Sequence, residues 1–224
     1  MCSHYQALKE RERYRRNFGV EPPLDPSKTD LWPGYLGTFI RRHPHADVGD
    51  AAVPEREALN GLFGLVPHWS EDTKITRHTF NARTETVATK PSFRDAWKNA
   101  QHCIIPADVF FEPDWRSGKA ISTGIARTDG EPIGIAGLWS VWKSPKGEDI
   151  HSYTMLTVNA ESHPLMREFH KPTDEKRMVV IVTEDRYLDW LKLGVAQSMA
   201  FLHDCQGVPL LGMPIAHPIA DLFS

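Results

Sequence analysis

Cys2 becomes an unusual nucleophile if the initiator Met1 is removed. The new terminus then carries an α-amine and a thiol on adjacent carbons, a 1,2-aminothiol. An α-amine has a pKa near ~8 against ~10.4 for lysine, so about a tenth of it is free base at neutral pH. The amine can attack an aldehyde to give an imine, and the thiol can close onto the imine to give a thiazolidine. On position alone the commoner role of a free cysteine, packing as a small hydrophobe, is favoured.

Other residues with useful chemistry lie in two stretches. The window 78–87 contains Asn81, Arg83 and Glu85. Glu112 follows Phe110 and Phe111, and on a strand it shares a face with Phe110. We therefore expect desolvation to raise the pKa of Glu112 towards neutrality, which suits a group that takes and gives protons. The alternative is a surface glutamate on an edge strand.

Composition excludes several classes of protein. The chain has 224 residues, 41% of them hydrophobic, which suffices for a core, and a net charge of -3 excludes a globally basic nucleic-acid binder. The three cysteines, Cys2, Cys103 and Cys205, have no CxxC spacing, so neither a disulfide framework nor a metal site is indicated. We expect no metal and no cofactor. A charged segment at 9–16 replaces the apolar run of a signal peptide, and no apolar stretch could span a bilayer, which predicts a cytoplasmic protein without membrane contact.

The hydrophobic pattern predicts an α+β fold in one domain over residues 1–224, with a mainly antiparallel, barrel-like sheet flanked by a few helices. Strands are expected at 36–40, 60–69, 103–112, 118–127, 133–142, 151–159 and 178–183. Helices are expected at 5–17, at 91–100 with Ser92 as its cap, at 162–169 and at 184–193.

Several motifs in fixed order resemble the SRAP family, the SOS-response-associated peptidase-like proteins that crosslink to abasic sites in single-stranded DNA. They are Met1-Cys2, GLxPxW at 64–69, NARxET at 81–86, IPADxFFE at 105–112, AGLW at 136–139, a late His followed by Arg-Met, and His217-Pro218. The resemblance covers nearly the whole chain. The family's compact His-x-Arg-Met-Pro motif is opened here, with His170 separated from Met178 by a longer segment.

The resemblance implies a catalytic set of Cys2, Asn81, Glu112 and His170. The amine of Cys2 would condense with the C1′ aldehyde of the ring-opened abasic sugar, and its thiol would then close the thiazolidine. Asn81 would orient the amine or a sugar oxygen; alternatively it is a turn or capping residue. Glu112 would transfer protons. His170 would protonate the sugar oxygen to open the ring, although a lone histidine at a helix end is more often a dipole partner, and the residues alone do not favour it over His163.

Four residues are candidates for DNA binding. Arg83 could bind a phosphate, since its fork of donors fits a phosphodiester; alternatively it forms a salt bridge with Glu85. Trp69, with Pro67 before it, could stack on or wedge against bases, or could be a buried tryptophan. His4 stands where the family commonly has an arginine and would be a weaker, titratable donor.

The expected partner is single-stranded DNA with abasic sites, bound by a monomer that associates with the nucleoid when on DNA. The imine would also permit β-elimination, an AP-lyase reaction. One rival is an N-terminal-nucleophile thiol hydrolase or self-processing peptidase, with Cys2 attacking an amide and His170 as base. A second rival is a non-catalytic single-strand-binding module in which Cys2 is incidental.

Overall fold

A computed structural model describes residues 2–24, 28–205 and 207–214. Its strands are β1 Tyr5–Ala7, β2 Asp30–Leu31, β3 Leu36–Arg42, β4 Arg56–Phe63, β5 Asn81–Arg83, β6 His102–Asp114, β7 Ile121–Arg127, β8 Ile133–Lys143, β9 Asp149–Asn159, β10 Arg177–Val179, β11 Ile181–Val182 and β12 Leu210–Pro214. Its α-helices are α1 Arg11–Arg13, continued by a π-helical turn Tyr14–Phe18, α2 Arg94–Lys98, α3 Tyr187–Lys192 and α4 Val195–Asp204. Short 3-10 turns cover Thr73–His78, Met166–Glu168 and Glu184–Arg186.

Five strands close into a barrel in the order β3, β4, β9, β8 and β6, with β6 pairing back to β3 at Ile104 and Ile40. Most pairings are antiparallel; β9 also accepts β4 and β5 in parallel. The expected α+β class, with a mainly antiparallel barrel-like core and few helices, is confirmed. The His217-Pro218 motif and Met1 lie outside the described residues.

Strand β6 is central to the sheet. Almost all of its residues are buried, whichever face of the sheet their side chains lie on. Its first half pairs with β8 and its second half with β7, while β1 covers the other side near Phe110. A strand with neighbours on both sides and packing on both faces reads as a continuous apolar run, as 103–111 does. Glu112 therefore enters a buried position near the end of this strand, opposite Thr123 of β7.

Two apolar layers hold the fold together. Inside the barrel, Tyr5, Phe63 and Tyr153 pack together, and the hydroxyls of Tyr5 and Tyr153 lie 2.5 Å apart. A Cβ at Gly37 would overlap the Tyr153 hydroxyl, so only glycine fits there. Outside the barrel, α3 and α4 cover the sheet with Trp190 and Phe201, which stack on each other. The interior layer is what places β1, and with it Cys2, against β6.

Some predicted elements are wrong. Residues 5–17 are not one helix: Tyr5–Ala7 forms β1, and helical structure begins only at Arg11. The strand expected at 60–69 ends at Phe63, and its last residues form a loop. In α2 the N-cap position is Phe93, without a side-chain cap, so Ser92 does not cap it. The helix expected at 162–169 is only the turn Met166–Glu168. Strands β2 and β12 and helix α4 were not predicted.

His102 is a buried histidine on the outer side of β6, stacked on Trp190 at 4.0 Å between ring centroids. Its Nε2 lies 3.0 Å from Ser198 Oγ, which itself donates to the Gly194 carbonyl. Burial lowers the pKa of His102 to about 4.

This histidine should make the fold sensitive to acid. An unfolded histidine titrates near ~6.5, so between about pH 6.5 and 4 the unfolded chain binds the extra proton and stability falls as the pH falls. Between pH 7.5 and pH 5 the free energy of unfolding of the wild type should fall by about 2 kcal/mol more than that of His102→Gln. Urea unfolding at the two pH values measures this difference. Parallel losses in both proteins would contradict it.

Candidate functional site

Cys2 is fully buried, and two hydrogen bonds hold its main chain and side chain at one end of β6. The Asn81 amide donates from Nδ2 to the Cys2 carbonyl at 2.7 Å, and Cys2 Sγ donates to the His4 carbonyl at 3.3 Å. The same His4 carbonyl accepts the backbone N–H of Phe111. Cys2 is thereby fixed beside the β6 residues that lead into Glu112.

Glu112 is the neighbouring acid, only 1% exposed. Burial raises the pKa of Glu112 to about 7, as expected from its aromatic setting. Burial, together with the negative charge of Glu112, raises the pKa of the Cys2 thiol to about 12. At neutral pH the thiol is thus protonated, and the carboxyl group is divided between its two protonation states. The alternative of a surface glutamate on an edge strand is wrong.

His170 reaches the same point from a different part of the chain. Its Nε2 lies 3.5 Å from Glu112 Oε2 and 2.9 Å from the Arg177 carbonyl. Because a carbonyl only accepts, Nε2 carries the proton. Burial lowers the pKa of His170, so the neutral form of the ring predominates at pH 7. It is not a helix dipole partner: it follows the extended Phe169, and β6 holds its N–H through the Pro113 carbonyl.

The backbone of His170 has a φ of 64°, a left-handed conformation that costs a non-glycine residue about 1–2 kcal/mol. Lys176 compensates by closing the segment after it. Its ammonium donates to the carbonyls of Phe169, His170 and Lys171 at 2.9, 3.2 and 3.0 Å. The longer segment between His170 and Met178 therefore folds around one cation and leaves His170 against Glu112. By contrast, His163 Nδ1 accepts backbone N–H groups of its own turn.

Arg177 anchors this segment to the sheet. Its guanidinium, 3% exposed, donates to both oxygens of Glu85, to Glu175 and to the Thr157 carbonyl. Arg177 is part of the motif found in the sequence, but no role was predicted for it. No sequence signal predicts the carbonyl contacts of Arg177 and Lys176, because they depend on how the segment closes.

Asn81 and Arg83 share one face of β5, with buried Ala82 on the other, as strand alternation requires. Asn81 is neither a turn nor a capping residue, and its buried Oδ1 has no hydrogen-bond partner among the described residues. Arg83 is about half exposed and pairs with Glu175 at 2.8 Å. The alternative salt bridge between Arg83 and Glu85 is wrong, since Glu85 pairs with Arg177.

The other candidates lie further out. Trp69 is 47% exposed, so the alternative of a buried tryptophan is wrong. Pro67 is buried and lines a cavity of about 180 Å³. His4 is held between the rings of Trp32 and Phe111, and its Nε2 pairs with Asp30 at 2.9 Å. That donor is therefore already engaged.

The described residues contain no group of three or more His, Cys, Asp or Glu side chains that could hold a metal ion. Over the same ranges, no helix is long and apolar enough to cross a membrane.

Comparison with known proteins assigns the chain to a described family. The sequence matches the family "SOS response associated peptidase (SRAP)" over residues 1–216. The chain belongs to the SRAP family.

Individual relatives are also similar to this chain. A solved structure of a Bordetella bronchiseptica protein is 45% identical, with a TM-score of 0.85, covering 96% of this chain and 100% of that one. The abasic site processing protein YoqW of Bacillus subtilis (strain 168) is 35% identical over 58% of this chain and 54% of its own. The abasic site processing protein HMCES of Pongo abelii is 25% identical over 72% of this chain and 53% of its own. The chain spans about half the length of these curated relatives.

The Arg177 anchor can be tested by stability. Arg177→Met keeps much of the apolar stem but removes hydrogen bonds to charged partners, and because those partners are half exposed the loss should be about 2 kcal/mol. Arg16→Met, which removes an exposed pair with Glu131, is the matched control and should cost under about 1 kcal/mol. Urea unfolding compares them, and equal losses would contradict the anchoring role.

Proposed function

We propose that this protein processes abasic sites by binding single-stranded DNA and trapping the abasic sugar covalently through Cys2. The observation that carries the proposal is the buried triad of side chains formed by Cys2, Glu112 and His170, with Asn81 holding the Cys2 carbonyl. The relatives named abasic site processing proteins support an abasic site in DNA as the substrate. Membership of the SRAP family supports the assignment of these residues to one reaction.

The first bond is made by the amine. With Met1 removed, the α-amine of Cys2 attacks the C1′ aldehyde to give a carbinolamine. Loss of water from the carbinolamine gives the imine. A thiol whose pKa is about 12 is a poor first nucleophile at neutral pH, whereas an α-amine with a pKa near ~8 is partly free base. The same raised thiol pKa argues against the thiol hydrolase, which needs an activated thiolate.

The second bond is made by the sulfur. The thiol adds to the imine carbon, its proton leaves, and the imine nitrogen gains a proton, which gives the thiazolidine. The overall reaction releases one water and needs no oxidant. Glu112, with a pKa of about 7, can take a proton from the nucleophile and return one to the departing hydroxyl. His170 would supply the proton that opens the sugar ring from its protonated form, which is the minor form at pH 7 because burial lowers its pKa.

The DNA would be held by residues that take no part in the reaction. Arg83 shares the β5 face of Asn81 and is half exposed, so it can bind a phosphate once it is exchanged from Glu175. Trp69 offers a ring for stacking without reading sequence. The imine also permits β-elimination of the abasic strand. We further propose that the protein acts as a monomer.

Covalent trapping is tested with an oligonucleotide carrying one abasic site. Wild-type protein should give a heat-resistant adduct on a denaturing gel, while Cys2→Ala and Cys2→Ser should give none of the thiazolidine. Binding to an uncleavable tetrahydrofuran analogue should persist in both variants. An adduct of normal yield with Cys2→Ala would overturn the proposal, and turnover of amide substrates without any adduct would support the hydrolase.

The role of Glu112 is tested by rate. Glu112→Gln keeps the shape but cannot exchange protons, so the rate of adduct formation should fall about 10²–10⁴-fold while binding of the analogue is unchanged. In wild type the rate should show an inflection with pH at about 7, and the variant should lack this inflection. A variant that loses binding as well would point to misfolding.

A further inference from the structure

Three rings form an ordered column beside Cys2. His4 lies between Trp32 and Phe111, with centroid distances of 4.1 Å to each and interplanar angles of 9° and 11°. The strand register explains the column: Tyr5 of β1 pairs with Leu31 on one side and with Phe110 on the other. The preceding residue, His4, therefore faces Trp32 and Phe111 at the same level.

The outer ring of this column is fixed and exposed. Trp32 is 45% exposed although one of its faces is covered by His4. His4 is itself held by Asp30, so the column is anchored at its centre. A tryptophan that is held in place before a ligand arrives loses little conformational freedom when a second ring stacks on it.

The same turn continues as an apolar surface with a cation. Tyr35 is 40% exposed and Leu36 is 48% exposed. The ammonium of Lys28 lies 4.5 Å from the centroid of the Tyr35 ring. The nearby Asp30 carboxylate already accepts hydrogen bonds from His4 and Gln6. An unpaired nucleotide presents a flat base and a phosphate, so exposed rings can stack on its base while a neighbouring cation contacts its phosphate.

This turn and the loop of Trp69 lie against the same 3-10 turn, Thr73–His78. A Cβ at Gly34 would approach the Thr76 hydroxyl to 3.3 Å, and a Cβ at Gly64 would overlap the backbone of Thr76. Among residues 2–24, 28–205 and 207–214, the Phe, Trp and Tyr side chains that are exposed are Trp32, Tyr35 and Trp69. The turn that carries Trp32 and Tyr35 and the segment that leads to Trp69 therefore meet at Thr76.

We infer that Trp32 is the stacking platform for an unpaired base next to the abasic sugar, with Lys28 neutralising a phosphate of the same strand. The inference rests on the proposed function, because it takes single-stranded DNA as the ligand. Its location follows from the column, since the thiol of Cys2 donates to the carbonyl of His4, the residue on which Trp32 stacks. Every base has a flat face, so this platform accepts any sequence.

The experiment uses oligonucleotides with a tetrahydrofuran analogue, which has no aldehyde, and 2-aminopurine at successive neighbouring positions. Wild-type protein should quench the fluorescence at one position beside the analogue. Trp32→Ala should lose that quench and raise Kd by about 5- to 100-fold. Trp32→Phe, which keeps a flat ring, should retain most of both. Val195→Ala, a change at an exposed apolar residue of α4, should change neither.

A second measurement separates stacking from an effect on Cys2. Trp32→Ala should capture glyoxylate, a small aldehyde, at the wild-type rate, because no base is involved. Equal Kd and quench in wild type and Trp32→Ala would overturn the inference. So would an equal slowing of glyoxylate and DNA capture, which would make Trp32 a support for His4. Wild-type protein that binds the analogue but forms no adduct with abasic DNA would overturn the proposed chemistry and leave the platform standing.

Discussion

The site depends on the burial of the Glu112 carboxyl group beside Cys2. A carboxylate in water titrates near ~4.3 and would be fully ionised at neutral pH. Removing it from water raises its pKa to about 7, and its charge in turn helps to keep the Cys2 thiol protonated. One desolvated group therefore favours the order of bond formation that we propose, amine first and sulfur second.

That burial is a consequence of the sheet. Strand β6 is long enough to pair with β8 in its first half and with β7 and β1 in its second, so its end is covered although it lies outside the closed barrel. Three separate segments then converge there: the N-terminal residues with Cys2, β5 with Asn81, and the His170 segment held by Lys176 and Arg177. The fold brings together groups that are far apart in sequence.

The predictable parts are those with local signals. Strands β6 to β9 have apolar runs bounded by turn residues, and Phe110 beside Glu112 indicated the raised pKa of the glutamate. Strand β1 was missed because its three residues lack a pattern of their own and are fixed by pairing with β6. The His170 contacts depend on a left-handed residue and on one lysine closing a segment, and neither has a sequence signature. Without the family resemblance, His170 could not be preferred over His163.

The ionisation of Glu112 is the most direct test of the proposed chemistry at Cys2. Carboxyl ¹³C NMR of protein labelled at glutamate, with Glu112→Gln to assign the resonance, follows this group through the pH range. We predict a midpoint at about 7. A midpoint near ~4.3, as in an exposed glutamate, would mean that Glu112 is an ordinary carboxylate at neutral pH and would contradict the proton-transfer role on which the proposed reaction of Cys2 rests.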